Sequence, residues 1–298
     1  MKRSFLPALL TLLSLAFSTQ CQAQSRDAGA HRSEEKISRQ FRLSADAARS
    51  TLAVYNIIGS VTVQGYSGNE VLLEATKTIK AESAQTLETG KKEAVLGFLQ
   101  RNDSVVVYLA GPHDSRPNRG RYNRSEQHEK PGYTFQFDFV IKVPAAMNLH
   151  VATVTDGKVL VQDVSGSKLD AYNVNGAISL QNVRGTTTAR TVNGNVDAVY
   201  SGSPTGPCSY HTINGQLNVT YPRDVAADVH FKTMHGELYT DFPEAELRPV
   251  QVSQTQQPGA SGTKYKLSKD RVMRLGQGGK DFRFETLNGD VTIKQQPR

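Results

Sequence analysis

The chain has 298 residues and a formal net charge of +7, from 35 lysines and arginines against 28 aspartates and glutamates. Lys2 and Arg3 supply two of these charges, so the chain beyond the N-terminal segment carries +5 (7 − 2). This modest excess, without a recognised nucleic-acid-binding motif, argues against nucleic acid as a partner. The only cysteines are Cys21 and Cys208, which excludes a framework of several disulfides, so a hydrophobic core must hold the fold.

Residues 1–23 are predicted to be a secretory signal peptide rather than a buried N-terminal helix. Two basic residues precede an apolar run over 5–17, and Cys21-Gln22-Ala23 fits the small-residue rule for cleavage before Gln24. Lipid attachment at Cys21 is the alternative, but the bulky Gln20 occupies a position where lipoprotein signals usually carry a small residue. We therefore expect export to the periplasm, the cell surface or the medium. No second apolar stretch is long enough to predict a membrane-spanning helix.

Residues 24–36 are polar and are predicted to form a flexible leader, with the folded domain beginning at Ile37. The first clear strand is expected at 52–54. A helix is predicted within 81–100, with Ser83 as its N-cap and with Gly90 and Gly97 weakening it. Strands over 104–109 and 133–143 flank a polar insertion at 111–132. A second polar insertion, 244–280, contains one candidate strand at 264–267.

The dominant feature is a repeated motif of an apolar residue, a polar residue and glycine. It occurs as Val174-Asn175-Gly176, Val192-Asn193-Gly194, Ile213-Asn214-Gly215, Met234-His235-Gly236 and Leu287-Asn288-Gly289, with looser copies at Thr155-Asp156-Gly157 and Ile57-Ile58-Gly59. From Gly157 through Gly176, Gly194 and Gly215 to Gly236, the steps are 19, 18, 21 and 21 residues. A period of about 20 residues is typical of stacked coils.

Apolar residues stand two and four positions after most of these glycines, which indicates strands with one buried face. Asparagine and glycine both tolerate positive φ, so each repeat is predicted to be strand, turn, strand. Such turns could also close antiparallel hairpins of a meander or sandwich. Threonines three positions before the glycine predict a stacked ladder, which favours a parallel β-solenoid over 37–297 with coils of 18–21 residues. They are Thr191, Thr212, Thr233 and Thr286.

The order of elements resembles the bacterial "putative adhesin" family of exported β-strand-repeat proteins. The segments Phe139-Val140-Ile141-Lys142-Val143-Pro144 and Leu149-His150-Val151, which lead into the Thr-Val-Asn-Gly-type repeats, resemble the family's entry into its repeats. The resemblance covers about 37–295 and implies a right-handed β-helix-like, all-β fold with one short helical insertion, in a surface or periplasmic setting. It implies no catalytic residue. The stretch 244–280 departs from the regular pattern.

Catalysis or metal binding would need clustered side chains on one face, and the repeat positions do not supply them. His211, His230 and His235 occupy different positions in their repeats, so a zinc site is not expected. Cys208 aligns with apolar residues of other repeats and is predicted to be a buried thiol. We expect no catalytic, cofactor or metal site. The first residues after the glycines are a mixed set without a carboxylate cluster: Lys158, Ala177, Asn195, Gln216, Glu237 and Asp290.

The best candidate for binding is the basic part of the insertion 111–132. Arg116, Arg119, Arg121 and Arg124 lie within nine positions, and guanidinium groups suit sulfate, phosphate and carboxylate partners. The alternative is a solvated spacer. The sequence thus predicts a non-catalytic, adhesin-like surface or envelope scaffold or binding protein, with an anionic glycan, a lipid headgroup or an envelope protein as candidate partners. A carbohydrate-active β-helix enzyme and a periplasmic envelope-signalling component acting by protein contacts remain the alternatives.

Overall fold

A computed structural model describes residues 31–117, 131–249, 251–259 and 262–297, so the predicted signal peptide and most of the predicted leader lie outside the described residues. The described residues form two large β-sheets, which confirms the all-β class. The helical elements are α1 (Ala84–Glu93) and two single 3-10 turns, Ala47–Arg49 and Gly111–His113. Within these ranges no helix is long and apolar enough to cross a bilayer.

The strands are numbered along the chain, and ten of them form the first sheet. They are β1 (His31–Arg42), β3 (Val61–Tyr66), β4 (Glu70–Ala81), β7 (Tyr133–Pro144), β9 (Val159–Gln162), β11 (Ile178–Val183), β13 (Val196–Tyr200), β15 (Leu217–Tyr221), β17 (Leu238–Thr240) and β22 (Val291–Gln295). Their spatial order is β1-β4-β7-β3-β9-β11-β13-β15-β22-β17.

The second sheet contains the remaining strands. They are β2 (Thr51–Tyr55), β5 (Val95–Arg101), β6 (Ser104–Ala110), β8 (Asn148–Ala152), β10 (Lys168–Tyr172), β12 (Thr186–Arg190), β14 (Cys208–His211), β16 (Ala227–Lys232), β18 (Glu246–Leu247), β19 (Gln251–Gly259), β20 (Gly262–Leu275) and β21 (Asp281–Glu285). Their order is β18-β20-β16-β21-β14-β12-β10-β8-β2-β6-β5, and β19 pairs with β20.

Each repeat passes through both sheets. It contributes one strand to the second sheet, turns at the glycine motif and contributes the next strand to the first sheet, as β10 and β11 do around Gly176. Strands of neighbouring repeats pair in parallel, so the motif does not close an antiparallel hairpin. Antiparallel pairs lie towards the ends, at β1–β4–β7, β5–β6 and β18–β20–β16. Both sheets are open rather than closed on themselves.

The asparagines of the glycine motif form a column of side-chain hydrogen bonds that aligns the repeats. The Nδ2 group of Asn193 donates to Oδ1 of Asn175, Asn214 donates to Asn193, and Asn288 donates to Asn214, each at 2.7 Å. Every amide in the middle of this column therefore donates to one neighbour and accepts from the other. Such an arrangement requires the repeats to be in register.

The predicted threonine ladder is confirmed. Each hydroxyl donates to the carbonyl oxygen of the motif glycine in the neighbouring repeat, at 2.9 Å from Thr212 Oγ1 to Gly194 O. The hydroxyls thereby satisfy carbonyl groups at the corner between the two sheets, and all of these threonines except Thr233 are buried. The other pairs are Thr191 with Gly176, Thr286 with Gly215 and Thr233 with Gly289.

The motif glycines are required mainly because neighbouring repeats approach closely at this corner. A Cβ atom built on Gly215 would lie 2.0 Å from the carbonyl oxygen of Gly194, and one built on Gly194 would lie 2.3 Å from that of Gly176. Both distances are far below van der Waals contact. The expected cause, a positive φ, applies at Gly59 (φ 112°), Gly194 (φ 159°) and Gly289 (φ 151°) but not at Gly215. The predicted turns are present, but glycine is needed there mainly because the backbones of neighbouring repeats pack so closely.

The order of the repeats in space departs from the chain order near the C-terminus. The last repeat, β21 and β22, lies between the repeat of β14 and β15 and the repeat of β16 and β17. Val291 of β22 pairs with Leu217 of β15 on one side and with Leu238 of β17 on the other. The repeats of Gly215 and Gly236 are therefore not neighbours, although a regular stack was expected. The chain segment between β17 and β21 provides the length needed to return into this gap.

The segment 244–280 is more structured than the single predicted strand at 264–267. It contains β18, β19 and all of β20, and the last part of β20 pairs with β16. Val272, Met273 and Leu275 of β20 are buried. The polar composition of the segment concealed this short apolar part, which covers the outer edge of β16.

Two other element boundaries differ from the prediction. Ser83 is the N-cap of α1, as expected: its Oγ accepts from the Thr86 N–H at 3.1 Å. The helix ends at Glu93, because β5 begins at Val95 and pairs with β6. Strand β1 begins at His31, inside the predicted leader, because its backbone pairs with β4 along its whole length although most of its side chains are exposed.

The core lies between the two sheets and is built from the alternating positions after each glycine. Except after Gly236, where Leu238 is half-buried and Thr240 is exposed, these side chains are buried, as the alternation predicted. Their burial fixes which face of each strand points inward, so the intervening residues form the two outer faces. The buried set includes Val159, Val161, Ile178, Leu180, Val196, Ala198, Leu217, Val219, Val291 and Ile293.

Candidate functional site

A row of outward-facing side chains crosses eight neighbouring strands of the second sheet. At about 4.8 Å per strand it is roughly 34 Å long. Its first part is aromatic and its second part is mostly charged. We call it the outer row. It contains Tyr108, Tyr55, Ala152, Tyr172, Arg190, His211, Glu285 and Lys232, on β6, β2, β8, β10, β12, β14, β21 and β16.

The aromatic part is continuous because a histidine fills the gap at Ala152. The His150 ring centroid lies 5.1 Å from that of Tyr55 and 5.2 Å from that of Tyr172. These distances are within the range of favourable ring pairs. All three rings are half-buried, so they are packed together and still accessible from outside. We call Tyr55, His150 and Tyr172 the aromatic cluster.

Asp170 holds the central ring of the cluster from the neighbouring strand. Its Oδ2 atom lies 3.8 Å from Nδ1 of His150 and 3.1 Å from Nζ of Lys168. Burial raises the pKa of Asp170, but its interactions with His150 and Lys168 outweigh burial, and the net pKa is lowered. The carboxylate is therefore ionised at neutral pH. Burial raises the pKa of Tyr55 and of Tyr172, so both hydroxyls remain protonated.

Arg116 lies at the aromatic end of the outer row. Its guanidinium carbon is 4.0 Å from the centroid of the Tyr108 ring, and its Nε donates to Asp114 Oδ1 at 2.9 Å. Ser115 fixes this segment to β2 by donating to the carbonyl oxygen of Tyr55 at 2.7 Å. The guanidinium is thus already engaged within the chain. The other predicted binding residues lie outside the described residues, and their role stays a prediction: Arg119, Arg121 and Arg124.

The charged part of the outer row leaves cations accessible. Arg190 and Lys232 are exposed, and Glu285 lies between His211 and Lys232. Arg190 is directly beside Tyr172 in the register of the sheet. A ligand lying on the aromatic cluster would therefore meet a guanidinium group one strand further along.

A cleft of about 360 Å³ lies beyond the charged end, along β16 and β20. Its charges are mostly paired inside it. Arg274 Nε donates to Asp228 Oδ1 at 2.9 Å, and this bond lowers the pKa of Asp228. His230 Nε2 lies 3.4 Å from Asp281 Oδ1. Arg248 completes the charged lining.

The three histidines weighed as metal ligands do not converge. His211 on β14 and His230 on β16 are separated by β21, and His235 lies at the glycine corner beside Asn288. Across the described ranges, no group of three or more histidine, cysteine, aspartate or glutamate side chains is arranged to hold a metal ion.

Cys208 is buried in the core, as predicted, beside three buried tyrosines. The Tyr200 and Tyr210 hydroxyl oxygens lie 2.6 Å apart, and Tyr221 donates to Tyr210 at 3.0 Å. The Cys208 sulfur lies 3.6 Å from the Tyr200 hydroxyl. Burial raises the pKa of the thiol and of all three phenols, so this network stays neutral. A thiol with a raised pKa is poorly reactive, which fits a structural role.

Sequence reasoning missed the outer row, although the repeat numbering contains it. Six of its residues stand four positions before a motif glycine, whereas any carboxylate cluster was expected only at positions after the glycine. Aligning the repeats at that earlier position would have shown aromatic and cationic side chains on one face. The six are Tyr55, Tyr172, Arg190, His211, Lys232 and Glu285.

No protein-family model matches the sequence, and no curated protein matches it. Some solved structures are similar to this chain over most of its length. A "putative cell adhesion protein" from Clostridium sporogenes is 11% identical with a TM-score of 0.43, covering 89% of this chain and 100% of that chain. The resemblance to "putative adhesin" proteins is confirmed.

Two further solved structures match a similar share of this chain. A "putative adhesin" from Bacteroides fragilis is 8% identical with a TM-score of 0.29, covering 88% of this chain and 97% of that chain. A "putative lipid binding protein" from Parabacteroides distasonis is 9% identical with a TM-score of 0.34, with the same two coverages. What this chain could bind has to be argued from its own outer row.

Proposed function

We propose that this protein is an exported, non-catalytic, adhesin-like binding protein whose outer row recognises an acidic glycan. The observation that carries the proposal is the aromatic cluster, with Arg190 beside Tyr172 on the next strand. In this proposal the repeats are coils of a right-handed β-solenoid, which their parallel pairing supports. The stacked coils would serve to present a long, regular face.

The chemistry of the outer row suits a sugar polymer that carries carboxylate or sulfate groups. Flat aromatic rings offer an apolar surface to the faces of pyranose rings, and their hydroxyls can bond to sugar hydroxyls. Tyr55 and Tyr172 combine both properties at low entropic cost, since each side chain has few rotatable bonds. Arg190 supplies a planar cation for an anionic substituent. Tyr108 is buried beneath Arg116, but the part of the row from Tyr55 to Lys232, roughly 29 Å long, lies at the surface. It therefore suits an extended chain better than a compact ligand.

Two carboxylates of this face, those of Asp170 and Asp228, are better suited to binding than to catalysis. A glycosidase of the usual kind needs a carboxylic acid with a raised pKa opposite a second carboxylate. The pKa of Asp170 and that of Asp228 are both lowered, so neither is suited to act as a general acid near neutral pH. Asp170 instead serves to position His150 within the cluster.

A glycan array tests the proposal. We expect binding to glycans with uronic acids or sulfate groups, weaker binding to neutral glycans, and a loss of binding as salt is raised. Tyr172→Ala should weaken binding by about two- to tenfold, the value of one aromatic contact. Tyr239→Ala, which removes an exposed tyrosine from the first sheet, is the matched control and should bind as the parent does.

The other candidate partners are outcomes of the same experiment. Anionic liposomes and neutral liposomes should be assayed beside the array. If the protein binds anionic liposomes but no glycan on the array, the ligand is a lipid headgroup and the glycan proposal is wrong. Acidic glycan binding that is unchanged in Tyr172→Ala would remove the outer row from the proposal.

A further inference from the structure

Strand β1 is a long free edge of the first sheet. All twelve of its residues pair with β4 on one side, and within the described ranges no strand pairs with its other side. Its alternate backbone N–H and C=O groups therefore point outward. Such an edge can pair with another strand unless something blocks it.

The sequence of β1 is complementary to itself in one antiparallel register. With a two-fold axis beside Ile37, Ile37 lies opposite Ile37 of a second copy. Glu35 then lies opposite the second copy's Arg39, and the symmetry produces this pair twice. Lys36 lies opposite Ser38. Opposite charges and apolar residues facing each other across two antiparallel strands stabilise their pairing.

Neighbouring registers are less favourable. In the favoured register the numbers of two opposed residues add up to 74 (37 + 37). The outward N–H and C=O groups of the two strands face each other only when this sum is even, so the nearest alternative registers have sums of 72 and 76. The first places Lys36 opposite Lys36. The other places Ile37 opposite Arg39 and Glu35 opposite Phe41. The charges on this edge therefore select one register.

The charged side chains at the ends of β1 are already neutralised within each chain. In the favoured register Arg32 lies opposite the second copy's Arg42. Arg32 forms an ion pair with Glu34 at 3.1 Å, and Arg42 with Glu70 at 2.9 Å. The repulsion between the two arginines is thereby reduced.

The side chains of the central pairs are held in place before any pairing. Glu35 lies 3.5 Å from the ammonium group of Lys77, which is almost buried. The Arg39 guanidinium lies 5.7 Å from the centre of the Phe98 ring. A second copy would place its arginine near Glu35 and so add a second cation beside that carboxylate.

We propose that the protein forms a two-fold symmetric dimer in which the β1 strands of two copies pair antiparallel around Ile37. The first sheets of the two copies then form one continuous sheet. Identical surfaces meet in such an interface, as two-fold symmetry requires. This inference does not depend on glycan binding, because β1 lies in the first sheet and the outer row in the second.

Engineered disulfides test the register directly. Opposed residues in antiparallel strands have Cα atoms about 4.5–5.5 Å apart, which suits a disulfide. Ile37→Cys should cross-link to its copy under mild oxidation. Lys36→Cys is the matched control: two copies of position 36 would lie about 8 Å apart, which is too far. Equal cross-linking of both variants, or of neither, would overturn the proposal.

Charge exchange tests the same interface without a cysteine. In sedimentation velocity the parent should be a dimer. Glu35→Arg or Arg39→Glu alone should raise the dissociation constant by about tenfold or more, because each variant places like charges opposite each other. An equimolar mixture of the two variants restores both opposite-charge pairs and should form a heterodimer. A monomeric parent, or a dimer that persists in both variants, would contradict the proposal.

Discussion

Replacing Gly215 by alanine forces one methyl group into the corner where neighbouring repeats touch. The added Cβ would lie 2.0 Å from the oxygen and 2.6 Å from the carbon of the Gly194 carbonyl. Both are backbone atoms, so a rotamer change cannot relieve the overlap. The repeats must separate by more than about 1 Å to restore contact at about 3.5 Å. That movement lengthens the 2.9 Å bond from Thr212 to Gly194 and the 2.7 Å bond from Asn214 to Asn193.

Overpacking and weakened buried hydrogen bonds together should lower the free energy of unfolding by about 2–4 kcal/mol. For a chain of this size, the melting temperature should fall by roughly 3–7 °C. Gly202→Ala is the matched control, because its Cβ would meet only the flexible Arg184 side chain, at 3.1 Å. Thermal unfolding followed by circular dichroism measures both. If Gly215→Ala has the same melting temperature as Gly202→Ala and the parent, the close approach of the repeats is refuted.

Three further perturbations address other parts of the molecule. Tyr210→Phe removes the middle hydroxyl of the buried tyrosine network and should lower the free energy of unfolding in urea by about 1–3 kcal/mol, whereas Tyr239→Phe at the surface should leave it unchanged. Burial lowers the pKa of His113, and the charge of Glu93 offsets this only in part, so the unfolded chain binds the proton more readily. Stability should therefore fall as the pH drops below about 6.5. His113→Gln should make the melting temperature less dependent on pH between about 7.5 and 5.5, and an unchanged pH dependence would contradict this prediction. Arg116→Ala should lower the melting temperature by removing the stacking on Tyr108, but alanine at the three later arginines together should reduce only salt-sensitive binding to anionic ligands. Those three are Arg119, Arg121 and Arg124.

Local pattern in the sequence was sufficient to predict much of the repeat. The alternation after each glycine identified the buried positions, and the threonines three positions before it predicted the ladder seen from Thr212 to Gly194. The burial of Cys208 also followed from its repeat position. These features depend on neighbours that recur at fixed spacing, which is the information that a single sequence carries.

Features that depend on long-range pairing could not be predicted in this way. The insertion of β22 between β15 and β17 reverses the chain order, and no local pattern marks it. Strand β1 is mostly exposed and is defined by its backbone pairing with β4, so it resembled a polar leader in the sequence.

The same limit applies to the aromatic cluster. Tyr55 and Tyr172 are far apart in the chain and lie on either side of β8 only because β8 pairs with both β2 and β10. The ring between them comes from His150, which stands at a different position in its repeat from the two tyrosines. A search for clustered charges therefore found the arginines near 116 and overlooked the rings.

The most direct test of the proposed binding face is a calorimetric titration of an acidic oligosaccharide into the parent and into Tyr55→Ala/Tyr172→Ala. The account predicts measurable binding by the parent that weakens with salt, and an affinity reduced by about fivefold to a hundredfold in the double variant, with its melting temperature retained. Equal affinities of the two folded proteins would contradict the claim that the outer row is the binding surface.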